Sequence, residues 1–279
     1  VKSGCKVFSI GDPGDQHYKL KVIGNNISIL DDLVFGNISE SKLLKEAKNP
    51  VIIIGESVLK SEISKNVISS VQTLLKDINK LDSFNILHQS ASNVGSLILG
   101  LQTENLQKVY DADVLYLLNA DEVNIDKKNN QFIIYQGSHG DKGAEIADII
   151  LPGAAYTEQN GHFTNLEGKI QKAFKASYPP GEAKEDWQII NELAEFMNNR
   201  KLFNDKDELE SSMFNYINLQ KENRVLSDQG TASKNFAESE NLAVAYKEYY
   251  FSNVIARSSK TMLDCYNSKL ESKKTGTDG

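Results

Sequence analysis

Residues 135–171 concentrate the residue types that can do chemistry. Gly137, Gly140 and Gly143 follow an apolar run at intervals of three. Glycines behind a strand let backbone approach a phosphate closely. The interval is neither the G-x-G-x-x-G of a dinucleotide fold nor a Walker loop, which needs Gly-Lys followed by Ser or Thr. A tight structural turn is the preferred reading of these glycines. Ser138, His139 and Asp141 share the loop and offer the residue types of nucleophilic catalysis. The G-x-S-x-G elbow is missing, and near-adjacent residues rarely converge on one reacting atom. Glu158 and Glu167 could supply paired carboxylates for acid–base work. With Asn160, Gly161, Asn165 and Gly168 around them they read more simply as turn formers that bond the backbone.

His17, His88, His139 and His162 are spread along the chain without a ligand spacing such as H-E-x-x-H. Cys5 and Cys265 are the only two cysteines, short of the roughly four thiolates of an iron–sulfur cluster and too few for a zinc finger. Neither thiol lies in a basic cluster that would activate it. The tyrosines between 246 and 250 could stack on bases, but in an acidic chain packing on a protein partner is the better reading. The residues alone therefore assign no catalytic, cofactor-binding or metal-ligating position, and the expectation is a chain without a cofactor of its own.

The elements that must position these residues are legible from the apolar pattern. The chain has 279 residues, enough for one or two domains and a sizeable core. Its net charge of −7 lacks the basic footprint of a nucleic-acid binder. No apolar run approaches the ~20 residues of a membrane span, so direct membrane insertion is not expected. Two cysteines and no secretory leader point to a reducing compartment. Short apolar runs at 6–10, 51–54, 84–87, 114–118, 132–135 and 149–151 do not alternate, as in parallel strands buried on both faces. Between them, Ile63, Val67, Val71, Leu74, Leu75, Ile78 and Leu81 recur at helical steps, with Ser61 as the expected N-cap. A shorter helical piece, 41–48, ends before Pro50. Strands alternating with helices predict an open α/β sheet.

After the Tyr178-Pro179-Pro180-Gly181 loop, a further helix is expected with Trp187, Ile190, Leu193, Phe196 and Met197 on its apolar side. From about 202 onward Asn, Ser, Glu and Lys dominate, with apolar residues returning at Tyr246, Tyr249, Tyr250, Val254 and Met262. The division read from this is an α/β domain at 1–201 and a polar, partly helical C-terminal arm at 202–279. The first residue is Val1, so a leader has been removed or the chain is a piece of something longer.

Asp148-Ile-Ile-Leu-Pro152, followed by Glu158, Gly161, Asn165, Glu167-Gly168 and Gln171, resembles the signature stretch that closes a Rossmann-like domain in the molybdopterin oxidoreductase superfamily. Phe132 and the residues to Gly143 narrow the resemblance to the large iron–sulfur (75 kDa, G-type) subunits of complex I, NADH:ubiquinone oxidoreductase. The runs 45–55, 85–88, 179–187 and 250–265 are similar to the same family, so the resemblance spans nearly the whole chain. It implies an α/β, Rossmann-like open parallel sheet with flanking helices, plus the arm. Lys169 stands where the family carries Arg, and no residue matches the Cys, selenocysteine or Ser that binds molybdenum in catalytic relatives. The family's N-terminal cluster motifs are absent too. The resemblance thus implies a scaffold in the peripheral arm of complex I, at the matrix side of the mitochondrial inner membrane, supporting electron transfer without clusters or molybdenum. Its implied partners are a cluster-bearing N-terminal half, on the same polypeptide or as a separate chain, and other peripheral-arm subunits. The alternatives are a cofactor-retaining molybdopterin-type oxidoreductase fragment and, from Asn49-Pro50 to Gly55, the central domain of a thiamine-diphosphate enzyme.

Overall fold

In a computed structural model, which describes residues 4–14, 16–59, 61–103, 105–222, 236 and 249–275, all six apolar runs contain strands. The chain divides into two compact units. Among the described residues, one holds 4–90 with Phe236 and the other holds 91–222 with 249–275. The class is α/β, with parallel strands and flanking helices.

In the first unit β1 (Phe8–Ile10) pairs in parallel with β2 (Lys21–Gly24), and β3 (Ile52–Gly55) with β4 (Phe84–Leu87). Helices α1 (Ile29–Phe35) and α2 (Ser39–Glu46) separate these pairs. The short α3 (Glu56–Leu59) and the longer α4 (Ser64–Asp77) make the crossover from β3 to β4. The helical stripe does what its spacing requires: Val67, Val71, Leu74 and Leu75 are buried, three of them in a core with Ile27, Leu30 and Ile54. Ser61 is not the cap. The helix begins at Ser64 after Ile63, and the Ser61 hydroxyl instead donates to the Val58 carbonyl at 2.5 Å, closing the preceding turn.

The second unit opens with α5 (Asn93–Ile98) and α6 (Leu106–Tyr110). Its sheet has the order β5 (Val114–Leu118), β6 (Phe132–Gly137), β7 (Ile149–Pro152), all parallel. Parallel neighbours usually need a helical crossover. Here residues 119–131 cross without one, and Val123 and Ile125 supply the apolar cover over Leu115, Leu117, Ile133 and Tyr135. The one-turn α7 (Lys142–Glu145) links β6 to β7. An antiparallel hairpin, β8 (Gly161–Thr164) and β9 (Ile170–Ala173), precedes α8 (Asp186–Asn198) and α9 (Lys206–Glu222). Beyond these lie α10 (Val254–Ser258) and α11 (Lys260–Thr275).

Two expectations change here. The stretch 158–168, read only as turns, carries β8 and the bend of the hairpin, because Asn165 Oδ1 accepts from the Glu167 and Lys169 amides and Gly168 takes φ +79° at the bend. The buried side of α8 is Ile189 and Asn191, while Phe196 and Met197 are 87% and 70% exposed. Asn191 is buried because its side chain binds backbone of the following turn, accepting from Leu202 and Phe203 and donating to the Phe203 carbonyl. The polar stretch after 202 is partly helical, as expected, and contains the 17-residue α9, whose Ile217 is buried. The stretch from Gln229 to Ser233 and Tyr246 lie outside the described residues.

The motif aspartate Asp148 sets the β6–β7 register. Its Oδ2 accepts from the Ile133 amide at 2.7 Å, its own amide donates to the Ile133 carbonyl at 2.8 Å, and Lys127 Nζ sits 2.6 Å from Oδ1. The Lys127 hydrogen bond, then the Ile133 amide, hold its carboxyl below the usual carboxylate range. A carboxyl depressed in the folded state stabilises above its unfolded pKa of about 3.9, and that contribution fades as pH falls through the folded value. Asp148→Asn should therefore lower the urea midpoint at pH 7, and its difference from the parent should shrink below about pH 4. A difference that does not change with pH would contradict this role.

Candidate functional site

Open parallel sheets take their ligands beyond the carboxyl ends of the strands. In the second unit those ends are Leu118, Gly137 and Pro152, facing the start of α8 at Asp186. The space is spanned by a side-chain network. Gln136 is 0% exposed. Its amide nitrogen donates to Asp186 Oδ1 at 2.8 Å and to the Asp186 carbonyl at 3.2 Å, and its oxygen accepts the Tyr116 hydroxyl. Asp186 Oδ2 accepts from Asn119 at 3.0 Å and from Gln159 at 2.8 Å, while the Asp186 amide donates back to Gln159 Oε1 at 3.1 Å. A carboxylate in the first turn of α8 also suits the positive end of the helix dipole. Burial pushes the Tyr116 hydroxyl pKa up, and the Asp186 charge adds to it.

Glu185, the N-cap, completes a capping box with Gln188. Burial works to raise its carboxyl pKa, but Lys206 at 2.6 Å, the Trp187 indole and Lys175 outweigh burial and hold it below the usual range. Lys206 also donates to the Asn160 carbonyl at 2.7 Å, so α9 is tied to both the signature run and the start of α8.

The glycine loop is shaped by Tyr135. None of Gly137, Gly140 and Gly143 has a positive φ, so spacing rather than backbone freedom explains them. A Cβ on Gly137 would fall 2.7 Å from Tyr135 Cζ, and one on Gly143 would meet the Ala120 carbonyl oxygen and lie 3.2 Å from Tyr135 Cδ2. The Tyr135 hydroxyl donates to the His139 carbonyl at 2.7 Å, so the loop wraps a tyrosine. Burial and the charges of Asp121 and Asp141 push that hydroxyl pKa up, with Arg257 opposing them.

The other candidate groups sit in local roles. Ser138 Oγ lies 3.0 Å from His139 Nδ1, but Asp141 accepts from the Lys142 amide as the N-cap of α7. No hydrogen bond joins His139 to Asp141 among the described residues. Glu158 accepts from the Ala155 amide, and Glu167 accepts from Asn165 within its own hairpin turn. His162 packs edge-on against Phe214 with centroids 5.4 Å apart. In the first unit His88 Nδ1 lies 3.6 Å from Glu56. Cys5 and Cys265 are free and exposed. Tyr250 packs against Tyr266 at 6.4 Å. Among the described residues no group of three or more His, Cys, Asp or Glu is placed to hold a metal ion.

Sequence reasoning places Arg257 in the C-terminal arm but does not find its partners. It pairs through Nη2 with Asp121, through Nη1 with Glu122 at 3.1 Å, and through Nε with Asp141 at 3.5 Å. These acids follow β5 and β6 immediately, and nothing in their spacing points 136 residues ahead. A molybdopterin group would need donors for its anionic phosphate and a sulfur, selenium or oxygen ligand for its metal. At this edge the carboxylates are joined to Arg257, the amides to Asp186 and Ser138 Oγ lies against His139 Nδ1, and no cysteine lies in the loops after β5, β6 and β7. These residues do not fit that group.

Removing the central amide tests the network. Gln136→Leu keeps the volume but strands the Tyr116 hydroxyl and one Asp186 oxygen, so it should cost about 1–3 kcal/mol in urea unfolding. Gly143→Ala should cost a comparable ~1–3 kcal/mol, chiefly through the clash of its Cβ with the Ala120 carbonyl oxygen and secondarily through pressure on the Tyr135 ring. Neutral substitutions at both positions would contradict the packing described.

A family model for molybdopterin oxidoreductase matches residues 1–196, and one for the C-terminal part of the G-type subunit of NADH-ubiquinone oxidoreductase matches 208–265. The NADH-ubiquinone oxidoreductase 75 kDa subunit of Reclinomonas americana is 35% identical over 95% of this chain and 41% of its own length. The G-type subunit of the NADH-quinone oxidoreductase of Rickettsia typhi is 39% identical over 96% of this chain and 41% of its own. The mitochondrial NADH-ubiquinone oxidoreductase 78 kDa subunit of Candida albicans is 32% identical over 97% of this chain and 40% of its own. The chain thus spans about two fifths of the length of the curated relatives it matches. With parallel strands flanked by helices and a family match over residues 1–196, the chain belongs to the molybdopterin oxidoreductase family.

Proposed function

We propose that this chain is a scaffold in the peripheral arm of mitochondrial NADH:ubiquinone oxidoreductase, corresponding to the C-terminal part of its large iron–sulfur subunit. It carries no cluster, molybdenum or pterin and has no catalytic site of its own. The observation that carries the reading is the edge of the β5–β6–β7 sheet, where the space in which open parallel sheets take ligands is spanned by Gln136, Asp186, Asn119 and Gln159. Similarity to 75 and 78 kDa subunits over nearly the whole chain supports the assembly.

Residues 1–201 act as the α/β body and residues 202–279 as the arm that reaches neighbouring subunits. The division is supported by the separate family matches at 1–196 and 208–265. The body docks on a cluster-bearing N-terminal counterpart, whether the two are one polypeptide or two. Apolar side chains left exposed, Val51, Ile53 and Leu87 in the first unit and Phe196, Met197 and Leu202 in the second, are of the kind that partners cover. No described helix is long and apolar enough to cross a membrane. The place proposed for the chain is the matrix side of the inner membrane, held there by other subunits.

Native gel separation of detergent-solubilised mitochondrial membranes tests this. The chain should co-migrate with NADH-dehydrogenase activity, and a tag on it should co-purify the polypeptide bearing the cluster cysteines. Migration apart from that activity would overturn the assignment.

A further inference from the structure

The guanidinium of Arg257 joins the last described part of the chain to the sheet edge it lies against. α10 is one short helix, begun by Asn253, whose side chain accepts the Ala256 amide at 3.0 Å. It has no buried residue of its own. Val254, Ile255 and Ala256 are half-buried and give it partial apolar cover. Its cation, Arg257, is also drawn in, 17% exposed, against an Asp121 side chain that is 12% exposed. Asp121 and Glu122 lie in the loop after β5 and Asp141 caps α7 in the loop after β6, so one planar cation bridges the connections that leave two neighbouring strands. Arg suits this because its fork of donors can serve several carboxylates at once.

The acids also need the cation. Three carboxylates converge on this position beside Tyr135, whose hydroxyl is occupied by the His139 carbonyl and cannot serve them. Without Arg257, like charges would be left close together, with Asp121 largely out of water. The Asp121 carbonyl meanwhile accepts the Gly143 amide at 3.2 Å, so the same residue that holds Arg257 also holds the glycine loop around Tyr135.

We infer that Arg257 is a latch that fastens the C-terminal arm back onto its own α/β unit: the guanidinium, held by Asp121, Glu122 and Asp141, closes the acidic side of the sheet's carboxyl edge in cis. The arm is then presented to partners from a fixed starting point and does not trail from the body. The inference concerns contacts within one chain and does not depend on which assembly the chain joins. Arg257 is a positioning residue in this role.

Hydrogen–deuterium exchange on the full chain reads the latch directly. Arg257→Ala should raise exchange of the amides in 254–258 roughly tenfold or more while β5 and β6 stay as protected as in the parent. Arg257→Lys should recover only part of the protection, since an ammonium cannot bridge the three acids. Asp121→Asn, which keeps shape and removes one charge, should produce a smaller rise confined to the same segment, and it decides the matter should Arg257→Ala not fold. Unchanged exchange in 254–258, or an equal rise throughout the unit, would overturn the inference.

Discussion

A polar side chain placed at the centre of a parallel sheet must find all its partners within the protein, and Gln136 is that side chain here. It lies in β6 between β5 and β7, fully buried, and its amide is satisfied by Tyr116 on the neighbouring strand and by Asp186 at the head of α8. That demand fixes α8 against the carboxyl edge of the sheet. Asp186, once drawn in, must satisfy its second oxygen, and Asn119 and Gln159 do so. Gln159 belongs to the signature run, so the run is held against the sheet by the same network. Charged hydrogen bonds in a low-dielectric site favour one arrangement strongly, because each alternative strands a buried group.

Around this hub the motif residues turn out to be positioners of backbone. Asp148 pins β7 to β6, Asn165 shapes the hairpin turn, Glu158 closes the turn after Ala155, and Gly143 clears room for Tyr135. Residue types that elsewhere perform acid–base or phosphate chemistry are here engaged with amides and ring faces. The arrangement is the one that the proposed scaffold role requires.

What is legible in the sequence follows from which signals are local. The Val- and Ile-rich runs read as parallel strands because burial on both faces removes alternation, and β3 to β7 appear at those runs. The α4 stripe is equally plain. The hairpin escapes because β8 and β9 are four residues each and mix polar with apolar side chains, which turn chemistry alone explains as well. β2 escapes for the same reason. The buried side of α8 escapes because Asn191 takes a core position for hydrogen bonding, which a hydrophobic count cannot register. The Gln136–Asp186 hub and the Arg257 cluster span 50 and 136 residues, and no spacing rule reaches that far.

The proposed scaffold role rests on the edge of the β5–β6–β7 sheet being filled by the chain's own side chains, so that it takes no pterin. Releasing and oxidising any bound pterin from the purified assembly, with molybdenum and tungsten measured on the same sample, tests it most directly. The account predicts neither a fluorescent pterin nor either metal in proportion to this chain. One pterin per chain, with or without its metal, would contradict it.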